Sequence, residues 1–185
     1  MTPRFPALLP ETMTPAQRAA AAEISAGPRG EVRGPFIPLI HNAELARRIQ
    51  QLGEHLRFHS KLPLDLLEIA VLVTARKWNC QYEWYMHEQF ARQAGLALGI
   101  FEAIARGQEP KGMSADEALV YNASKQAHES GRLDDETFAA ARARFGLDGT
   151  LELLALNGYY SMMAMVLNTA GLPLPGGAAP PLRKL

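Results

Sequence analysis

Four residues in the middle of the chain have types and a spacing suited to chemistry: Glu68, Cys80, Glu83 and His87. The last three follow at i, i+3 and i+7, which puts them along one face of a helix, with Glu83 and His87 one turn apart. A carboxylate that close to an imidazole can set its tautomer and raise its basicity, as general acid–base work requires. Cys80 falls in the first turn, where the helix dipole favours a thiolate. In the segment LDLLEIAVLVTA, residues 64–75, Glu68 is the only charge after Asp65. A helix apolar on all sides is an interior helix, so burial of Glu68 is expected. A lone buried carboxylate is costly, so the fold must pair it or keep it protonated. Glu68 and His87 lie 19 residues apart on helices joined by a tight turn, so they can meet across an antiparallel hairpin. The same residues also read as a buried polar cluster kept for packing, with Cys80 as filler.

The elements that must position these residues are helical. All prolines but Pro63 and Pro110 lie within residues 1–38 or 173–181, so the middle of the chain tolerates long helices. Thr14 and Pro15 open a helix to about Ala26. Residues 27–40 read as an irregular loop. Asn42 caps a helix to about His59, with Leu45, Ile49, Leu52 and Leu56 at helical spacing. Further helices are predicted from Pro63 to about Lys77, from an Asn79 cap to Gly95, and over 97–106. Ser114 and Glu117 form a capping box for a helix to about Ser130. Asp134 starts another to about Phe145, and the last covers about 148–169. The tail from Gly171 reads as extended or loosely docked. The expected fold is all-α, a single domain over 1–185 built as a bundle of seven or eight helices in antiparallel hairpins.

The pattern Glu68-x11-Cys80-x2-Glu83-x3-His87 resembles the carboxymuconolactone decarboxylase and alkyl hydroperoxidase D-like superfamily. The match centres on residues 60–107, and the helix end Ala91…Gly95-Leu96 is similar too. In the hydroperoxidase branch a second cysteine stands where this chain has Glu83. Cys80 alone cannot resolve a sulfenic acid, so a two-cysteine peroxidase is disfavoured and any thiol turnover needs an external thiol reductant. In the decarboxylase branch a Glu commonly precedes the His by four and another by nineteen, as Glu83 and Glu68 do. The resemblance implies proton transfer beside a carbonyl of a small carboxylated lactone or oxo acid, without a cofactor. Glu68 and His87 would transfer protons, Glu83 would orient His87, and Cys80 would line the pocket. It also implies a homo-oligomer. The alternatives are a single-cysteine peroxidase using Cys80 and a non-catalytic oligomeric scaffold.

Other candidates carry weaker patterns. Tyr82, Trp84 and Tyr85 flank the motif and can wall a pocket or fill a core. Arg33 and His41 can approach a substrate carboxylate or simply pin a loop. His55 and His59 have the i, i+4 geometry of two metal ligands, but no third ligand stands at a convincing spacing, so no metal is expected. His128 sits among Lys125, Glu129 and Arg132 on a charged face and reads as inert. Gly27, Gly30 and Gly34 follow no strand and form no phosphate loop.

Composition narrows the partners. Nineteen basic residues balance nineteen acidic ones, which leaves no excess to hold nucleic acid or an anionic membrane. One cysteine excludes an internal disulfide and a multi-thiolate metal site. The N-terminus lacks the apolar run of a signal peptide. The charge-free stretch 153–167 is shorter than the ~20 residues a spanning helix needs. A cytoplasmic protein acting on a small molecule is the expectation.

Overall fold

The structure is a computed structural model that describes residues 4–183. Met1–Pro3, at the start of the predicted non-signal N-terminus, and Lys184 and Leu185, at the end of the predicted tail, lie outside the described residues. Eight α-helices and no strand are found among the described residues.

Local chemistry explains most helix starts. α1 (Pro15–Ala26) begins at Thr14, whose side chain accepts from the Gln17 N–H while Gln17 reaches back, a reciprocal capping box. Within the predicted irregular loop the chain makes one short helix, α2 (Phe36–Leu39), which buries Phe36 and Leu39. Asn42 caps α3 (Ala43–Glu54), as its side chain accepts from the Leu45 N–H at 3.1 Å. The helix expected to run on to His59 instead widens into one π-helical turn over His55–His59. α4 (Leu64–Lys77) follows Pro63. Every residue from Leu66 to Arg76 is buried, so α4 is the interior helix its composition predicts. Each fully buried Leu or Ile there contributes about 2 kcal/mol of transfer free energy.

α5 (Gln81–Gln93) is capped by Cys80, not by Asn79. Asn79 instead takes a positive φ of 48°, a conformation Asn tolerates better than most residues, and so turns the chain between α4 and α5. α6 (Leu98–Ala105) and α7 (Ala115–Ser130) follow, the latter opened by the Ser114–Glu117 capping box. α8 (Asp135–Ala170) is interrupted at Gly146, whose φ of 74° and ψ of 178° are open to glycine and costly for other residues. The break separates the exposed first part from the apolar last part, as the two predicted helices require. The tail contains one 3-10 turn, Pro175–Gly177. α4 packs against α5, α6, α7 and α8, so Glu68 lies at the centre of the molecule. No helix among the described residues is long and apolar enough to cross a membrane.

Candidate active site

Packing of α4 on α5 places His87 Nδ1 2.6 Å from Glu68 Oε2. Glu68 is wholly buried, and among the described residues its other oxygen, Oε1, has no hydrogen-bond partner, so His87 makes the one hydrogen bond found there for Glu68. A carboxylate only accepts, so the Nδ1 proton points at Glu68 and leaves the Nε2 lone pair facing the other way. There Nε2 meets Arg57 Nη1 at 3.4 Å, which donates to it, and Glu83 Oε2 at 3.4 Å.

Arg57 comes from the π-helical turn. In that turn His55 and His59 face solvent while Arg57 is directed inward, its side chain only 13% exposed. Arg57 Nη1 lies 3.9 Å from Glu68 Oε1 and donates to Tyr160 Oη at 3.3 Å, and the guanidinium covers the Phe90 ring at 4.2 Å. Burial opposes its charge, but Tyr160, Glu68 and Glu83 hold its pKa above the ordinary value. Tyr160 also presents an edge-on contact to His87, with ring centroids 4.9 Å apart. Burial pushes the Glu83 carboxyl above the usual range, against the pull of His87, Arg57 and Arg29. Burial likewise pushes Tyr159 up to about 12.

A cavity of about 80 Å³ opens onto this cluster. Glu83, His87 and Arg57 line it, together with Arg29, Arg33 and Tyr159, and its apolar walls include Phe36, Phe58 and Phe90. Glu68 does not reach the lining and touches the pocket through His87. Three arginines thus line one small cavity beside Glu83 and His87.

The remaining sequence candidates separate. Tyr82 and Arg33 line the cavity, and Arg33 is half-exposed with Glu31 at 3.4 Å. Trp84 belongs to the core, its indole N–H donating to Glu88 at 3.1 Å. His41 is exposed and joins the Pro6 carbonyl at 2.9 Å, so it pins the N-terminal segment. Cys80 is wholly buried in a separate apolar patch with Ala164 and Leu167, outside the cavity wall. Burial, with the charge of Glu83 added, pushes its thiol up to about 12, and the N–H groups of the first helical turn do not offset this. The expected low-pKa thiol is therefore corrected, because desolvation outweighs the helix terminus.

His55 pairs with Glu152 at 3.3 Å and His59 with Glu54 at 3.9 Å. No group of three His, Cys, Asp or Glu placed to hold a metal ion occurs among the described residues. His128 is not on a solvated face. It is half-buried, 2.8 Å from Thr74 Oγ1, and burial followed by the charge of Lys77 lowers its pKa.

Arg57, Tyr160 and Arg29 are site residues that spacing did not reveal. Arg57 stands in the charged stretch HLRFHSK and reads as surface, whereas Tyr160 looks like one more apolar position of the last helix. No protein-family model matches the chain, and no curated protein or solved structure is significantly similar to it.

Proposed function

We propose that the protein is an acid–base enzyme of the carboxymuconolactone decarboxylase type, acting on a small carboxylated lactone or oxo acid. The observation that carries this reading is the Glu68–His87 contact at 2.6 Å with Nε2 turned to a cavity that Glu83 and Arg57 also line. In this reading the two carboxylates exchange the roles that spacing alone implies. Glu68 orients His87 from behind, while Glu83 faces the ligand.

In a decarboxylation, the substrate's C–C bond to its carboxylate breaks and leaves as CO₂. The electron pair passes into the adjacent conjugated carbonyl as an enolate, and Arg57 is placed to hold that charge. Glu83, whose carboxyl burial holds above the usual range, then gives its proton to carbon, and water returns one through His87 Nε2. The sum is a carboxylate plus one proton giving CO₂ and the protonated carbon acid. These steps call on no cofactor.

The thiol-peroxidase alternative draws no support from Cys80, which is wholly buried with a pKa near 12. The test is CO₂ release from a panel of 3-oxo acids and carboxylated γ-lactones. Turnover by the wild type, unchanged in Cys80→Ser and reduced about 100-fold or more in His87→Ala, is expected. No release from any member, or turnover that survives His87→Ala, overturns the reading. Peroxide consumption that disappears in Cys80→Ser favours the thiol alternative instead.

A further inference from the structure

The cavity at His87 does not stand alone. α5 presents two neighbouring stripes: Glu83, His87 and Phe90 face inward, while Tyr82, Tyr85 and Gln89 face a second, outer groove of about 490 Å³. Arg33, Tyr82 and Met86 line both spaces, so the groove adjoins the inner cavity across these three side chains and is about six times its volume. Its opposite wall is the segment that leaves α8, Leu172 to Pro175, which no step proposed above uses. Gly34, in the wall of the inner cavity, has a φ of 55°, and a Cβ there would stand 3.0 Å from the Tyr82 ring, so glycine suits the close approach of the loop to Tyr82.

The two compartments differ in chemistry. The inner one gathers arginines, the imidazole and a carboxyl, whereas Ile37, Tyr85, Met86, Leu172 and Leu174 make the outer one largely apolar. We infer that the ligand is a two-part molecule: a carboxylate-bearing head seated among the inner arginines, and an apolar tail lying in the groove between α5 and the Leu172–Pro175 segment. This rests on the acid–base reading only for what happens to the head. The placement of head and tail follows from the three residues the two spaces share and from the chemistry of their linings.

Inert straight-chain carboxylates from butanoate to decanoate test it by calorimetric titration of the full chain. A methylene wholly removed from water strengthens binding about fourfold, and in an open groove about twofold is expected. Affinity should therefore rise about two- to fourfold per added methylene. Tyr85→Asp and Leu174→Asp, on opposite walls, should each flatten that rise, so a folding failure in one leaves the other to decide. Alkylammonium ions of the same lengths should bind far more weakly. Affinity independent of length, a rise unaltered in both variants, or equal binding of the ammonium series overturns the inference. Tail-dependent binding without CO₂ release from any oxo acid removes the acid–base reading and leaves the two-part ligand standing. Turnover of short oxo acids with no tail dependence does the reverse.

Discussion

His87→Leu is the perturbation whose consequence is most tightly determined by the structure. Glu68 is wholly buried, its Oε1 has no hydrogen bond, and its Oε2 has only His87. Removing the imidazole leaves a carboxylate with neither oxygen bonded, and Arg57 stands at 3.9 Å from Oε1. Breaking a buried pair from one side costs about 3–5 kcal/mol, because the remaining charge keeps only the Arg57 guanidinium at 3.9 Å, too far for a hydrogen bond. For a chain of this size, each kcal/mol lowers Tm by about 2–4 °C, so a drop of about 10 °C is expected. Adding Glu68→Leu removes the orphan, and the double variant should recover most of the lost stability while remaining inactive. Urea denaturation of the wild type, His87→Leu, Glu68→Leu alone and the double variant measures this. A single-variant loss below about 1 kcal/mol, or a double variant as unstable as the sum of its parts, would refute the reasoning and mark the pair as ordinary packing.

Three further outcomes are expected. Because burial raises the Glu83 pKa, turnover that uses it as an acid should fall as pH rises through that pKa, and Glu83→Gln should abolish this alkaline limb in the pH–rate profile. Alkylation of Cys80 at pH 8 should run on the order of a thousandfold slower than that of a free thiol. Its thiol contribution to stability, full below about pH 8.5, should be lost as pH rises toward 12, and Cys80→Ser should remove this alkaline loss in Tm scans. Gly53→Ala should lower stability although alanine is the better helix former, because the new Cβ meets the Tyr159 hydroxyl and stands 2.7 Å from Arg29 Nη2. An unchanged or raised Tm would show that Tyr159 and Arg29 move aside at no cost.

The candidate site was legible in the sequence to the extent that it depends on helix periodicity. The i, i+4 spacing of Glu83 and His87 needs only a helix, and it gives their 3.4 Å approach directly. The lone charge in an apolar run marks Glu68 as buried for the same reason. Arg57 escaped because a π-helical turn changes the direction in which one residue of a charged stretch points, and no periodicity announces such a turn. Cys80 misled because its first-turn position and its burial act on the thiol in opposite directions.

The sequence by itself determined an all-helical chain, the caps at Thr14, Asn42, Ser114 and Asp134, the break near Gly146 and the interior character of α4. These are local properties, set by proline placement, hydrogen-bonding caps and the three-to-four-residue repeat of apolar side chains. Only the tertiary structure decided which carboxylate stands behind the imidazole and which faces the cavity, and that arginines from the first loop and the π-helical turn converge on one space. Such assignments depend on how helices far apart in the chain pack on α4. Two glutamates of the same type take different positions because the packing buries one behind His87 and sets the other in the cavity lining.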